Sequence, residues 1–252
     1  MQNNKTKFDL QGKRILVTGA SSGIGEATVR LLGEAGAVVG IHYHQRLKEA
    51  QTIKEEILSS GGVAEVFQAN LSNAQERDTI IPAFIEKFGG LDGLVNNAGA
   101  PQGKHAFPNI LKNEWDETFA LNIEAPFFLS QQAFTVMQSQ AGGKIVNVSS
   151  IGVKYGGSAK TIHYAMAKSA LETLTVGMAK MGAEFNILVN IVRAGMTDTA
   201  FWQDKTKEEI EAREKLIPLK RIGKPQEVAE TICFLLSHTY ITGQTIAVSG
   251  GE

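Results

Sequence analysis

Short apolar runs alternate with longer helical patterns along the chain. The apolar runs predict strands at residues 14–17, 38–42, 64–68, 94–96, 145–148, 187–192 and 245–248. Helical spacing separates them, at residues 26–34, 47–58, 74–88 and 227–236. Repeated strand and helix units of this size predict a parallel sheet with helices on both faces. We therefore expect an α/β fold, a doubly wound parallel sheet of about seven strands, with ligands bound at the carboxyl ends of the strands.

No linker, low-complexity tract or long-period repeat interrupts this pattern. We therefore expect one domain over residues 1–252, in which residues 1–9 form an N-terminal tail. Residues 196–217 are polar and charged, with Phe201 and Trp202 at their head. Such a segment outside the sheet predicts a substrate loop or lid.

Composition narrows the class of protein. The chain has 252 residues, 43% of them hydrophobic, and a net charge of -1, which is typical of a soluble globular protein. Balanced charge gives no basis for nucleic acid or an anionic membrane as a partner. Neither a secretory signal nor an apolar run of ~18 residues is present, so we expect a cytoplasmic protein.

Cysteine and metal chemistry are not indicated. Cys233 has no second cysteine to pair with, and its apolar context ETICFLL is typical of a buried helix residue. No cluster of Cys, His and carboxylate residues has metal-ligand spacing, so no metal is expected.

A glycine-rich turn, TGASSGIG, joins the first strand to the first helix at residues 18–25. A strand, a glycine turn and a helix in this order bind phosphates, because the backbone can approach closely and the helix N-terminus stabilises negative charge. The alternative interpretation is a tight turn without a ligand. The flanking strand and helix favour a Rossmann-type dinucleotide site.

A second motif follows the strand at residues 145–148. Two serines end that strand, and Tyr164 and Lys168 then lie four residues apart on one helix face. A tyrosine loses its proton near pH ~10, so it needs a nearby cation to act as an acid or base at neutral pH. Ser150 could hold a substrate oxygen beside the phenol. Taken alone, the Tyr-x-x-x-Lys motif favours the alternative interpretation, an ordinary alanine-rich helix with a solvated lysine.

The two motifs occur together with others, in one order. Thr18-Gly19 with Gly23 and Gly25, Asn96-Asn97-Ala98-Gly99, Asn122, Ser150 and Tyr164-x-x-x-Lys168 resemble the signature of the short-chain dehydrogenase/reductase family, from about Leu10 to Gly251. The segments PLKRIGKPQEVAE and ITGQTIAVSGG are most similar to its 3-oxoacyl-carrier-protein-reductase-like group. The resemblance implies an NAD(P)-dependent enzyme acting on CH–OH or C=O groups.

The resemblance also implies catalytic roles. Tyr164 would be the general acid in carbonyl reduction and the base in alcohol oxidation. Lys168 would lower the pKa of Tyr164 and bind the nicotinamide ribose, and Ser150 would orient the substrate oxygen. Asn122 would hold a water that links Lys168 to solvent, or be a buried helix asparagine satisfied by backbone. Pro126 predicts that the helix around Asn122 is locally distorted.

Cofactor choice depends on the end of the second strand. NAD-preferring enzymes usually carry an acidic residue there, and a carboxylate would repel the extra phosphate of NADP. Tyr43 occupies that position, with His44 and Arg46 after it and no acid before Glu49. This favours NADP(H), with NAD(H) possible. The full predicted cofactor-binding set is Gly19, Ser21, Ser22, Gly23, Ile24, Gly25, Tyr43, His44, Arg46, Asn70, Leu71, Asn97, Ala98, Gly99, Tyr164, Lys168, Thr197 and Thr199.

One departure from the family pattern stands beside the nicotinamide region. Relatives usually read Pro-Gly after the sixth strand, and this chain has Arg193-Ala194-Gly195, so the loop loses a fixed φ and is expected to be more mobile.

Substrate and assembly stay open. Tyr155, His163, Phe201 and Trp202 could line an apolar pocket for a small carbonyl or alcohol, or could be packing residues. The resemblance implies a homotetramer or homodimer. Two alternatives remain: a reductase specific for 3-oxoacyl groups on a carrier protein, and a catalytically silent nucleotide-binding regulator on the same fold. The intact set Asn122, Ser150, Tyr164 and Lys168 favours an enzyme.

Overall fold

The computed structural model describes residues 8–140, 142–199 and 206–252. Within these ranges a parallel sheet has the strand order β3-β2-β1-β4-β5-β6-β7. The strands are β1 (Arg14–Val17), β2 (Val38–Tyr43), β3 (Val63–Gln68), β4 (Gly93–Asn96), β5 (Gly143–Ser150), β6 (Ile187–Ala194) and β7 (Thr245–Val248). The predicted doubly wound sheet is confirmed.

Helices cover both faces of this sheet. They are α1 (Gly23–Glu34), α2 (Leu47–Ser59), α3 (Ala74–Arg77), α4 (Ile80–Phe88), α5 (Lys112–Phe119), α6 (Ala125–Ser139), α7 (Gly152–Tyr155), α8 (Ile162–Gly182), α9 (Lys207–Glu214) and α10 (Pro225–Ser237), with a π-helical turn at Ala120–Glu124 and a 3-10 turn at Ala183–Phe185. Within the described ranges, none of these helices combines the length and the apolar character that crossing a membrane requires.

Alternate residues of each strand enter separate cores. On one face Ile15 and Val17 pack with side chains of α1, α2 and α10, and on the other Leu16 packs with those of α4, α6 and α8. The central strands are therefore apolar on both faces, which explains their uninterrupted hydrophobic runs. Phe8, placed by prediction in the N-terminal tail, is buried in the first of these cores.

The helix predicted over residues 74–88 is two helices. Asn73 caps α3, its side chain accepting from the Glu76 amide at 3.1 Å, and α4 restarts at Ile80. Pro82 explains the break, because a proline inside one continuous helix would lack a backbone hydrogen bond and clash with the preceding turn. In the first turn of α4 the same proline is tolerated.

Candidate active site

A cleft of about 830 Å³ opens at the carboxyl ends of the strands. It lies across β1 and β4, which are neighbours in the sheet although β2 and β3 separate them in sequence. Chain connections diverge at such a point and leave a crevice between them. The glycine turn lines this cleft together with Ser150, Tyr164 and Lys168.

The glycine turn wraps around the start of α1. Gly19 and Gly23 have φ angles of 62° and 57°, which favour glycine. A Cβ on Gly19 would lie 2.9 Å from the Ala98 Cα, and one on Gly25 would collide with the Gly19 carbonyl oxygen. Gly25 therefore packs behind the turn, whereas Gly19, Ser21, Ser22, Gly23 and Ile24 line the cleft.

Thr18 ties the glycine turn to the end of β4. Its buried hydroxyl accepts from the Asn97 and Ala98 amides, both at 3.0 Å. Asn97 returns two bonds, its Nδ2 donating to the carbonyls of Thr18 at 2.9 Å and Gly19 at 3.1 Å. The predicted residues Asn97, Ala98 and Gly99 thus come to the cleft in a fixed relation to the turn.

The end of β2 presents a different side chain from the one predicted. Tyr43 is 6% exposed and packs in the core, while His44 and Arg46 line the cleft and are exposed. Because side chains alternate along a strand, His42 and His44 point to the cleft side and Tyr43 away from it. Tyr43, predicted to contact a cofactor, therefore lies in the core and outside the cleft lining, whereas His44, predicted with it, lies on the cleft wall.

His42, which sequence reasoning missed, connects two loops. Its Nδ1 accepts from the Gly19 amide at 2.9 Å, so its Nε2 carries the hydrogen and donates to the Ala69 carbonyl at 3.1 Å. Burial lowers the pKa of His42 to about 4. At neutral pH this side chain is an uncharged brace between the glycine turn and the end of β3.

Asn70 and Leu71 follow β3 and line the cleft as predicted. The Asn70 Oδ1 accepts from the Ser72 amide at 3.1 Å, and the Asn70 amide donates to Glu76 at 2.7 Å. These bonds fix the turn and leave the Asn70 side-chain NH₂ to donate elsewhere.

Ser150, Tyr164 and Lys168 meet where β5 ends and α8 begins. The Lys168 Nζ donates to the Val148 carbonyl at 2.9 Å and lies 5.7 Å from the centroid of the Tyr164 ring. Ser150 forms a hydrogen bond with the Tyr164 phenol, and its Oγ accepts from the Gly152 amide at 3.1 Å. The structure therefore brings this predicted trio together at one end of the cleft.

Burial is the largest influence on the pKa values of Tyr164 and Lys168. It raises the pKa of Tyr164 to about 12, and the bond with Ser150 opposes the rise. It lowers the pKa of Lys168 to about 8, because a cation is costly away from water. In the protein alone the net shift of the Tyr164 pKa is therefore upward, and the lowering contribution of Lys168 stays a prediction. The Lys168 hydrogen bond to Val148 directs the ammonium to a carbonyl, and burial outweighs its effect on the phenol.

Asn122 lies in the π-helical turn that precedes α6. The distortion predicted from Pro126 is confirmed there. The Asn122 Nδ2 donates to the carbonyls of Ala100 and Thr118, both at 2.8 Å, while its buried Oδ1 has no hydrogen-bond partner. A Cβ built on Gly99 would lie 2.6 Å from this Oδ1 and 2.7 Å from the Lys168 Nζ, so both polar atoms face the same glycine.

The last predicted cofactor residues, Thr197 and Thr199, follow β6 and line the cleft. Thr197 donates to the Gly195 carbonyl at 3.1 Å. Ala194 stands at the end of β6, and its carbonyl accepts from the Ile151 amide at 2.7 Å. The predicted lid at residues 196–217 includes 200–205, so Phe201 and Trp202 lie outside the described residues.

Two residues considered for a substrate pocket occupy other places. Tyr155 is exposed, with the Lys154 ammonium 6.0 Å from its ring centroid. His163 is buried and its Nε2 lies 3.1 Å from the Gln102 carbonyl. His163 thus braces the loop that brings Gln102 to the cleft.

Glu114 holds the outer part of the same loop. Its carboxylate accepts from the amides of Lys104 at 2.8 Å and Leu111 at 3.0 Å, and from the His105 ring at 2.8 Å. These bonds, with His105 first, lower the pKa of Glu114 to about 2. The loop is therefore ordered by one carboxylate that stays ionised.

Further cleft residues lie outside the predicted catalytic and cofactor-binding sets. Most adjoin predicted residues at strand ends, and extending each motif by one or two positions would have found them. They are His42, Gln45, Ala69, Ser72, Ala100, Gln102, Glu117, Leu121, Val148, Ser149, Ala194 and Gly195. Among the described residues, no group of three or more His, Cys, Asp or Glu side chains is placed to hold a metal ion.

Known proteins resemble this chain over almost its whole length. Residues 19–252 match the family described as enoyl-(acyl carrier protein) reductase. A 3-oxoacyl-(acyl-carrier-protein) reductase of Synechocystis sp. is 36% identical over 94% of this chain and 95% of its own. The angucycline C-6 ketoreductase LanV, solved with bound NADP, superposes with a TM-score of 0.88 and 36% identity over 97% of this chain and 96% of its own.

A third protein has the same fold. The short-chain dehydrogenase/reductase of Serratia marcescens BCRC 10948 superposes with a TM-score of 0.91 and 32% identity, over 96% of this chain and 98% of its own. The resemblance first seen in the sequence motifs is confirmed by these matches. The chain therefore belongs to the short-chain dehydrogenase/reductase family of NAD(P)-dependent oxidoreductases, close to its 3-oxoacyl-(acyl-carrier-protein) reductase-like group.

Proposed function

We propose that the protein is an NADP(H)-dependent oxidoreductase that transfers hydride between nicotinamide and a ketone or secondary alcohol. The observation that carries this proposal is the meeting of Ser150, Tyr164 and Lys168 in the cleft that the glycine turn also lines. A pure nucleotide-binding regulator needs the turn but has no use for a half-buried phenol and hydroxyl gathered beside a buried ammonium.

The residues present fit a dinucleotide. The backbone at Gly19 and Gly23 is closely approached. A Cβ built on Gly19 would lie 2.9 Å from the Ala98 Cα, and one built on Gly23 would lie 3.0 Å from the Thr199 Cγ2. Ser22, the N-cap of α1, makes no side-chain capping bond, so amides of the first turn are free of an internal cap and can bind phosphate oxygens.

The charges near His44 favour a phosphorylated ribose. His44 and Arg46 are exposed side chains on the cleft wall, and Arg46 can bind a phosphate through its planar guanidinium. An acidic side chain at this place would repel the 2′-phosphate, and none is present before Glu49. The NADP bound to LanV is consistent with this assignment.

The proton chemistry falls to Tyr164. When bound, NADPH supplies the hydride that adds to the carbonyl carbon. With a pKa of about 12, Tyr164 is protonated at neutral pH and can give its proton to the substrate oxygen as that oxygen becomes negative. Ser150 holds the same oxygen by hydrogen bond. Lys168 stabilises the resulting phenolate by its positive charge, and alcohol oxidation runs through the same residues in reverse.

Asn122 supplies part of the route by which the proton of Tyr164 is replaced. Its unpartnered Oδ1 and the Lys168 Nζ face the same glycine, and both can bind one water between them. We propose that Tyr164 regains its proton along this route, through Lys168 and that water.

A panel of carbonyl compounds tests the proposed function. NADPH absorbance should fall with at least one ketone and rise when NADP⁺ is given the matching secondary alcohol. Tight NADPH binding with no turnover across ketones, 3-oxoacyl thioesters and enoyl thioesters would identify the silent regulator instead. Reduction of the enoyl thioester alone would mean that the reaction is not at a carbonyl.

A carrier-protein substrate is favoured by one observation. Lys104, on the loop before α5, and Lys154 and Lys160, on the segment between β5 and α8, are exposed beside the catalytic trio. The two segments are joined by the Phe107 amide, which donates to the Ala159 carbonyl at 2.8 Å. An acidic carrier would be attracted to such lysines. A 3-oxoacyl group should then react faster on a carrier protein than on a small thiol, and added salt should remove the advantage.

A further inference from the structure

A row of polar contacts joins the catalytic helix α8 to β5. Tyr164, Lys168, Glu172 and Thr175 lie on one side of α8, spaced by four, four and three residues. Tyr164 bonds with Ser150, Lys168 with the Val148 carbonyl, Glu172 with Ser149 and Thr175 with Asn147. The position of the helix along the strand is therefore set by polar pairs and not by apolar packing alone.

Glu172 differs from the other members of this row because it reaches two strands. Its Oε1 accepts from the Ser149 hydroxyl at 2.8 Å and from the Arg193 Nε at 2.9 Å. Its Oε2 accepts from the Arg193 Nη2 at 2.6 Å. Ser149 and Arg193 are neighbours in the β5 and β6 register. One carboxylate thus holds α8, β5 and β6 together.

The three elements held by Glu172 carry the reacting parts of the site. Ser149 precedes Ser150, and Arg193 precedes Ala194 and Gly195, which line the cleft. Both side chains of the Glu172–Arg193 pair are mostly buried, with exposures of 15% and 23%. The hydrogen bond with Glu172 raises the pKa of Arg193, so its charge is retained.

We propose that Glu172 and Arg193 form a positioning pair that sets Tyr164 and Lys168, on α8, against Ser150 and the cleft residues at the end of β6. The pair acts through those groups and touches no reacting atom. This inference rests on the proposed function for its kinetic test. It also assigns a purpose to Arg193, one residue before the Ala-Gly that departs from the usual family pattern.

The kinetic test is a double-mutant cycle with Glu172→Gln and Arg193→Met. Each single change should lower kcat by about tenfold to a hundredfold, the scale expected for a small misplacement of catalytic groups, with little change in the KM for NADPH. The double variant should be no slower than the slower single one, because the two residues act as a unit. With 4-deuterated NADPH the isotope effect on kcat should rise, since the chemical step becomes more rate-limiting.

A matched control pair lies at the amino ends of β1 and β4, away from the cleft at the carboxyl ends of the strands. Arg14 and Asp92 form a similar two-point pair, at 2.7 and 3.1 Å, with 26% and 27% exposure. Asp92→Asn should lower the melting temperature by as much as Glu172→Gln does. It should leave kcat at saturating NADPH and the isotope effect unchanged. If Glu172→Gln also changes only the melting temperature, the pair is merely structural and the inference is overturned.

A second measurement does not depend on turnover. Hydrogen exchange of the NADPH-free protein should become faster at residues 149–155 and 162–172 in Glu172→Gln, and should stay unchanged there in Asp92→Asn. If the wild type proves to be a silent regulator, the proposed function fails but this exchange result still decides the inference. Unchanged exchange in Glu172→Gln would overturn it.

Discussion

The Lys168 ammonium lies 5.7 Å from the centroid of the Tyr164 ring and donates to the Val148 carbonyl at 2.9 Å. Its positive charge is therefore held beside the phenol by the last residues of β5. The effect of that charge on catalysis must depend on whether Lys168 is protonated, and its pKa of about 8 makes this dependence measurable.

The rate of carbonyl reduction should follow the titration of Lys168. The cation is present below about pH 8 and is lost as the pH rises through that value. Because the cation stabilises the forming phenolate, kcat should be level below pH 8 and fall above it. In Lys168→Met this step should be absent and the remaining rate low. A fall near pH 8 that persists in Lys168→Met would assign it to another group.

The free energy of unfolding should also depend on the titration of Lys168, and the direction of that dependence follows from its pKa. The pKa of Lys168 is lowered from its ordinary 10.5 to about 8, so between these values the unfolded chain binds more protons than the folded one. The contribution of Lys168 to the free energy of unfolding therefore rises with pH in this window. Denaturant titration of the wild type and Lys168→Met should show their difference rising in that direction. A flat or opposite trend would mean that Lys168 is not buried as described.

Gly99 should resist even the smallest side chain. A Cβ there would lie 2.6 Å from the Asn122 Oδ1 and 2.7 Å from the Lys168 Nζ, so Gly99→Ala must displace one of them. We expect kcat to fall by about tenfold or more. Gly177→Ala is the control, because a Cβ at Gly177 meets no atom within 4 Å, and it should keep wild-type kcat. Equal activity of the two variants would remove Gly99 from the site.

The preference for NADPH over NADH should depend on the charge of the side chain at His44. His44→Asp places a carboxylate on the cleft wall, so the Kd for NADPH should rise by roughly tenfold or more while that for NADH does not. His44→Asn removes the ring without adding charge and should have the smaller effect. Calorimetric titration of both cofactors measures this. Unchanged NADPH affinity in His44→Asp would place the 2′-phosphate elsewhere.

The order of strands and helices could be predicted because burial follows simple periods. Strand residues such as Ile15 and Leu16 enter opposite cores and are both apolar, and the glycine turn has few structural alternatives. The sequence does not predict the break between α3 and α4 because residues 75–79 contain no glycine or proline to mark a stop, and only the position of Pro82 marks the restart.

Site residues on one motif could also be predicted, whereas contacts between motifs could not. Tyr164 and Lys168 share a helix face by spacing alone. Tyr43 is predicted on the cleft because it occupies the position at which NAD-preferring enzymes carry an acidic residue, but the alternation of side chains along β2 turns it into the core. The meeting of Gly99 with Asn122 and of Glu172 with Arg193 depends on helix packing that no local pattern contains.

The most direct test of the account is Tyr164→Phe, assayed on a carbonyl substrate that the wild type reduces. The ring still packs on α8 but the transferable proton is gone, so kcat should fall by ~10²- to 10⁴-fold. NADPH binding measured by calorimetry should stay close to that of the wild type, which shows that the cleft is intact. Undiminished turnover by Tyr164→Phe would contradict the assignment of Tyr164 as the general acid.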